Sequence, residues 1–318
     1  MERKKGYLKL NDYFDKLKEE KNCQYFNLLV DGIIVQSDYD DRHFWLNIDG
    51  ITYYYKPSHY AYHELLAYYI AKELGFNAVY CDLAMFSIIP SEAEDNKGII
   101  SQSYKKPNCQ YISGIDILKE YYEGDPRTNK EMGLTDEWKA YYNGPYYIDM
   151  NNLETIWQAL EYRYKNNPNA DITKLIDQII NNYIFEVLVR ANDKGSQNWE
   201  IEESKNDVNV CPLFDNELIF YDSATMTMSA SFNDSDKDVK ESLKKFLTIS
   251  SQEYINLFIN KFNAFDDNMF YSCIEKVESQ TGTKIPEIIK EEIINAYNLN
   301  KLEINALLKE LNLTNKGR

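Results

Sequence analysis

The chain has 318 residues, 44% of them hydrophobic, and a formal net charge of −16. That is enough apolar side chain for one large domain or two lobes, and the acidity argues against general binding to DNA or RNA phosphates. Five scattered cysteines form no C-x-x-C pair, and no run approaches the apolar length of a membrane span, which counts against a disulfide framework, a zinc site and a transmembrane protein.

The start of the chain, Met1-Glu2-Arg3-Lys4-Lys5-Gly6, is charged and leads into no apolar signal core. The expected location is the cytoplasm, with signal-independent export as the alternative. Of three histidines, His43, His59 and His63, none lies near a G-x-S-x-G elbow, so a serine-hydrolase triad has no support.

The clearest early element is His43-Phe44-Trp45-Leu46-Asn47-Ile48, then Asp49-Gly50, then Ile51-Thr52-Tyr53-Tyr54-Tyr55-Lys56. Asp-Gly between β-rich runs predicts a two-residue hairpin. It pairs Ile48 with Ile51, Leu46 with Tyr53 and Phe44 with Tyr55 on one apolar face, and leaves Lys56 at a strand end on the more polar face. A helix follows, with Tyr62, Leu65, Leu66, Tyr69, Ile70 and Leu74 at helical spacing, Glu64 off that stripe and Gly75 as terminator. Residues 79–86 and 98–104 read as strands, joined by an exposed polar connection over 90–97. Lys105-Lys106-Pro107-Asn108 breaks the pattern and is the predicted boundary between lobes.

Residues from 118 to about 167 read as helical and loop-rich. Asp171 opens a strong helix whose apolar face runs through Leu175, Ile176, Ile179, Ile180, Tyr183, Ile184, Val187 and Leu188. That helix delivers Asn192-Asp193-Lys194-Gly195-Ser196-Gln197-Asn198-Trp199. A hairpin is predicted over 199–202 and 208–212, and Pro212-Leu213-Phe214-Asp215-Asn216 leaves its second strand. From about residue 236 the chain reads as several short helices, including 286–297 and 302–311.

An aspartate five positions before an asparagine, then a second aspartate after a short apolar run, is the arrangement that phosphoryl transfer from ATP needs. One carboxylate handles the hydroxyl; an amide oxygen and another carboxylate hold magnesium. Taken one at a time, Asp193–Asn198 and Asp215-Asn216 are ordinary turn sequences and Lys56 an ordinary strand-end lysine. Their order and flanking elements are what single them out.

Helix, Asp-x-x-x-x-Asn loop, hairpin and aspartate, preceded by a strand lysine and a helix glutamate, resemble the protein-kinase-like fold. In detail the chain resembles the HipA-like serine/threonine kinases of bacteria. The resemblance rests on Tyr54-Tyr55-Lys56-Pro57 with Glu64 and Leu74-Gly75-Phe76, on Lys97-Gly98-Ile99-Ile100-Ser101, on Asp193 to Trp199, and on Cys211-Pro212-Leu213-Phe214-Asp215-Asn216. It spans residues 45–222, with a weaker echo at Pro286-Glu287-Ile288-Ile289-Lys290. It implies an α+β, bilobal fold with a β-rich N-lobe over 1–106 and a helical C-lobe over 107–318. It also implies that Lys56 binds ATP phosphates, that Glu64 orients Lys56, that Asp193 is the catalytic base, and that Asn198 and Asp215 bind magnesium. The implied partners are a protein substrate and a small antitoxin, and the Ser223, Thr225, Thr227, Ser229 and Ser231 run is where autophosphorylation would fall.

The chain departs from that pattern in three places. Gly195 stands where these kinases usually carry histidine, Glu217 stands where glycine is frequent, and no glycine-rich phosphate loop is evident, with 30–33 and 37–41 poor candidates. The alternatives are a nucleotide-binding pseudokinase or interaction module, and a small-molecule or lipid kinase on the same scaffold.

Overall fold

The computed structural model describes residues 3–4, 7–9, 29–30, 33–34, 44–48, 51–85, 97–124, 153–191, 196–220 and 239–313. Its strands are β1 (Arg3–Lys4), β2 (Tyr7–Lys9), β3 (Leu29–Val30), β4 (Ile33–Ile34), β5 (Phe44–Ile48), β6 (Ile51–Pro57), β7 (Cys81–Met85), β8 (Lys97–Gln102), β9 (Gln110–Ser113), β10 (Glu200–Glu203) and β11 (Val208–Val210). The helices among the described residues are α1 (Ala61–Glu73), α2 (Gly114–Gly124), α3 (Leu153–Tyr164), α4 (Ile172–Leu188), α5 (Val239–Ile249), α6 (Gln252–Ala264), α7 (Asp267–Thr281) and α8 (Glu287–Glu310). The fold is mixed α+β. The chain separates into two compact units. The first is Met1–Tyr104 with Asp215–Ile219 and Asp266–Glu291; the second is Lys105–Phe214 with Phe220–Phe265 and Glu292–Arg318.

The first unit is built on a six-stranded sheet in the order β1-β2-β7-β8-β6-β5, with β3 and β4 paired separately. The β5–β6 register is the one that the Asp-Gly signal predicts: Phe44 opposite Tyr55, Leu46 opposite Tyr53 and Ile48 opposite Ile51. Along β6, burial deepens from exposed Ile51 to fully buried Tyr55, so the strand dives into the core just before Lys56. β8 pairs antiparallel with β6 and β7, while β2 joins the other edge of β7 in parallel. Every residue of β7 is buried, as expected of a strand flanked on both sides.

Helix α1 packs its predicted stripe inward: Tyr62, Leu65, Leu66 and Ile70 are all buried. It stops at Gly75, whose φ of 73° glycine adopts without a Cβ clash. The far end of α1 is held by α7, where Tyr69 donates to Gln280 and Lys276 pairs with Glu73. In the last turn of α7, buried Glu278 accepts hydrogen bonds from Lys284 at 2.6 Å, Lys290 at 3.1 Å and the Ile285 amide at 3.3 Å.

In the second unit, Asp171 is the N-cap of α4, accepting from the Lys174 amide at 3.1 Å. The predicted hairpin is present as β10 and β11, with Ile201 opposite Val210. A third strand, β9, adds to the other side of β10, with Ile201 also opposite Ile112, and the sequence carries no signal for it. Its four residues, Gln-Tyr-Ile-Ser, are too short to show alternation. The helices predicted over 286–297 and 302–311 are one continuous helix, α8. The residues between them, Asn298-Leu299-Asn300-Lys301, contain no proline or glycine, and the Asn300 side chain bonds elsewhere instead of to its own backbone. Most of the predicted 90–97 connection, the 37–41 loop and the 223–231 serine/threonine run lie outside the described residues.

Gly98 sits opposite Pro57, and a Cβ there would run into the Lys56 carbonyl and the Pro57 Cα. Gly98→Val is therefore expected to lower stability by about 2–3 kcal/mol, read as a drop in the urea midpoint. Glu278 gives an acid-side signature. Burial pushes its carboxyl up, but the hydrogen bonds from Lys284 and Lys290 outweigh burial and hold it below the ordinary 4.5. Its contribution is thus present above pH 4.5 and lost as pH falls through the depressed folded value. Glu278→Gln should lower the urea midpoint at pH 7 and converge with the parent protein toward acid pH.

Candidate active site

Of the residues singled out in the sequence, Lys56, Glu64 and Asp215 come together within the first unit. Lys56 is the penultimate residue of β6, opposite Ile99 of β8. Pro57 then ends the strand, since it has no N–H to continue the ladder. The Ser58 amide nevertheless donates to the Lys97 carbonyl at 3.0 Å, and its hydroxyl accepts from the Tyr60 amide at 2.9 Å. These bonds fix the short link between the strand that bears Lys56 and α1.

Glu64 lies in the first turn of α1, and its carboxylate is 3.6 Å from the Lys56 ammonium. Asp215 contacts the same ammonium directly. A third carboxylate, Glu217, reaches it at 3.3 Å. The sequence marks Glu217 only as a departure from a frequent glycine; pairing with a lysine 161 positions earlier (217 − 56) leaves no local signal. Burial pulls the ammonium toward its neutral form, but Glu64, Asp215 and Glu217 outweigh that and raise its pKa well above the ordinary lysine value. Lys56 is therefore a fixed positive charge.

The three carboxylates differ in freedom. The side chain of Glu64 is 7% exposed, against 38% for Asp215 and 31% for Glu217. Asp215 has a φ of 55°, in the left-handed region that aspartate tolerates better than most residues. Among the described residues, no three His, Cys, Asp or Glu side chains are arranged to hold a metal ion. The carboxylates here are arranged round an ammonium. Asp215 still has the chemistry for magnesium: its carboxylate is a hard oxygen donor, partly open, and already engaged with a cation.

The second unit carries the Asp193–Asn198 segment. Asp193 itself, within 192–195, lies outside the described residues. The residues on either side of 192–195 are well anchored. Helix α4 ends at Leu188, Arg190 has a φ of 49°, and the Ala191 amide donates back to the Glu186 carbonyl at 2.8 Å. Buried Asn300 of α8 donates to the Val187 and Leu188 carbonyls at 3.0 and 2.9 Å, and Glu303 one turn on accepts from Arg190 at 3.0 Å. The Val189 carbonyl accepts from the Phe220 amide at 3.0 Å. The Leu188 and Val189 carbonyls at the helix end are thereby satisfied, and the Val187 carbonyl, which also accepts from the Arg190 amide at 3.3 Å, gains a second donor.

Downstream, Ser196–Asn198 form a 3-10 turn, with Ser196 buried and Asn198 half-buried. Trp199 is buried against Gly114, where a Cβ would strike its indole ring, and its carbonyl accepts from the Gly114 amide at 2.9 Å. Asn198 is thus pinned from its C-terminal side. Neither Asn300 nor Gly114 is recognisable in advance, since each acts on a segment far away in sequence.

In comparisons with known proteins, no family model and no curated protein sequence matches the chain. Among solved structures, the proinflammatory kinase CtkA of Helicobacter pylori is similar over 84% of this chain and 93% of its own, with a TM-score of 0.58 and 14% identity. HipA of Shewanella oneidensis, solved in a complex with HipB and operator DNA, aligns over 98% of this chain and 73% of its own, with a TM-score of 0.46 and 12% identity. The likeness to the Helicobacter pylori protein shows that the fold is that of a kinase.

Replacing Asn300 with leucine keeps the volume and removes both donors. The expected loss is about 1–2 kcal/mol of stability, measured by urea unfolding, with faster hydrogen exchange in the last turn of α4.

Proposed function

We propose that this chain is an ATP- and magnesium-dependent serine/threonine protein kinase of the HipA-like type, with an N-lobe over 1–106 and a C-lobe over 107–318. The observation that carries this reading is Lys56: a nearly buried strand lysine, paired with a first-turn helix glutamate and with the aspartate of the Pro-Leu-Phe-Asp sequence. A lysine held this way keeps its charge and its direction, and both are needed to meet nucleotide phosphates.

In this reading Lys56 contacts the α- and β-phosphates and Glu64 fixes its direction. Asp193 accepts a hydrogen bond from the substrate hydroxyl and aligns it. Asp215 and Asn198, a carboxylate and an amide from separate segments, would hold magnesium. The ion, when bound, neutralises charge on the phosphates being transferred. The work asked of the protein is mostly positioning and electrostatic stabilisation. A protein substrate and a small antitoxin are the partners that go with this reading. Binding of nucleotide without transfer is the second reading; it is favoured by Gly195 where HipA-like kinases usually carry histidine.

The test is incubation of the purified protein with radiolabelled magnesium-ATP, with and without cell lysate. Label on serine or threonine is expected, falling by roughly a hundredfold or more in Asp193→Asn and in Asp215→Ala. Lys56→Met is expected to weaken ATP binding or transfer. Label confined to small molecules or lipids, or undiminished activity in Lys56→Met, would overturn the assignment. ATP-induced thermal stabilisation with no transfer would favour the second reading.

A further inference from the structure

The Lys56 ammonium has three N–H donors and no acceptor capacity. Three carboxylates surround it: Glu64 at 3.6 Å, Glu217 at 3.3 Å, and Asp215 in direct contact. One positive charge against three negative ones leaves the cluster at a formal −2. A phosphate approaching Lys56 therefore meets an ammonium already hydrogen-bonded to Asp215, and a repulsive field from the surplus negative charge.

Glu217 is built into this cluster. The same Glu217 oxygen that faces Lys56 accepts a 2.7 Å hydrogen bond from the Ser58 hydroxyl. Ser58 is itself fixed by its bonds to Tyr60 and Lys97. Glu217 is thus tied to the chain two residues beyond the lysine that it pairs with. Glu64 is buried and held on a helix, whereas Asp215 and Glu217 are partly open to water. The last two are the carboxylates able to turn away.

We propose that Glu217 is a positioning residue that, with Asp215, keeps Lys56 engaged until a divalent cation draws the carboxylates off, making nucleotide binding at Lys56 depend on that cation. This rests on the reading of Lys56 as a nucleotide-phosphate ligand. A divalent cation offsets the surplus negative charge, competes with Lys56 for Asp215, and leaves Lys56 donors for phosphate. Metal-free nucleoside triphosphate, more negative and without that competitor, is turned away.

Calorimetric titration with ATP, once in excess EDTA and once in excess magnesium, tests this on the full chain. The parent protein is expected to bind magnesium-ATP far more tightly than chelated ATP. Glu217→Gln keeps the shape and removes one charge. It should narrow the ratio of the two affinities by roughly five- to tenfold, mainly by tightening chelated ATP. Ser58→Ala loosens the Glu217 anchor without touching Lys56 and should narrow the ratio by less. A merely structural role for Glu217 predicts that both affinities move by the same factor, or not at all. That result, with magnesium-ATP still bound by the parent, overturns the inference and leaves the proposed function standing. Failure of the parent protein to bind ATP in either condition would overturn the proposed function and this inference with it.

Discussion

A lysine side chain that is only 15% exposed imposes a constraint that the rest of the first unit answers. Removing such a charge from water costs several kcal/mol unless opposite charge is close by. Lys56 meets this demand with partners from distant points in the chain: Glu64 from the helix that follows its strand, and Asp215 and Glu217 from well over a hundred residues on. The segment Asp215–Ile219 accordingly clusters with the sheet, while the residues immediately before and after it belong to the other unit. The left-handed backbone at Asp215 costs roughly 1 kcal/mol for a residue with a Cβ. Its direct contact with the ammonium offsets that.

The close packing around Lys56 serves the same end. Tyr55 is fully buried beside it, Gly98 lets β8 approach its carbonyl, and Ser58 ties the end of its strand to α1 through the Tyr60 amide. Each of these fixes backbone, and fixed backbone limits where a long, four-carbon side chain can place its charge. Position is thus set by the sheet and direction by the carboxylates.

Much of this is legible in the sequence because it is local. Asp-Gly between β-rich runs fixes the β5–β6 register, helical spacing and Gly75 fix α1, and Asp171 with its apolar face fixes α4. Lys56 and Glu64 follow from those elements. What escapes is non-local. Glu217 looks like an ordinary polar residue after a turn until Lys56 is seen beside it. Asn300 looks like a weak point in a helix, and on local grounds α8 is divided there; its amide in fact serves another helix's carbonyls, so α8 continues. Strand β9 is too short to carry a period of its own and owes its strand character to pairing with β10.

The grip of Asn300 on α4 has a consequence for how the molecule comes into being. The carbonyls at the end of α4 are made more than a hundred residues before the side chain that satisfies them. On the ribosome, the helix leading to Asp193 is therefore synthesised long before its terminus can be finished, and its last turn stays hydrated until α8 emerges. Lys56 waits in the same way for residues 215 and 217. Closing contacts of such long sequence separation is slow relative to forming the helices and hairpins themselves. The Lys56 cluster and the end of α4 are thus each late products of folding, and a nascent or prematurely ended chain carries the motif without the anchors that give it shape.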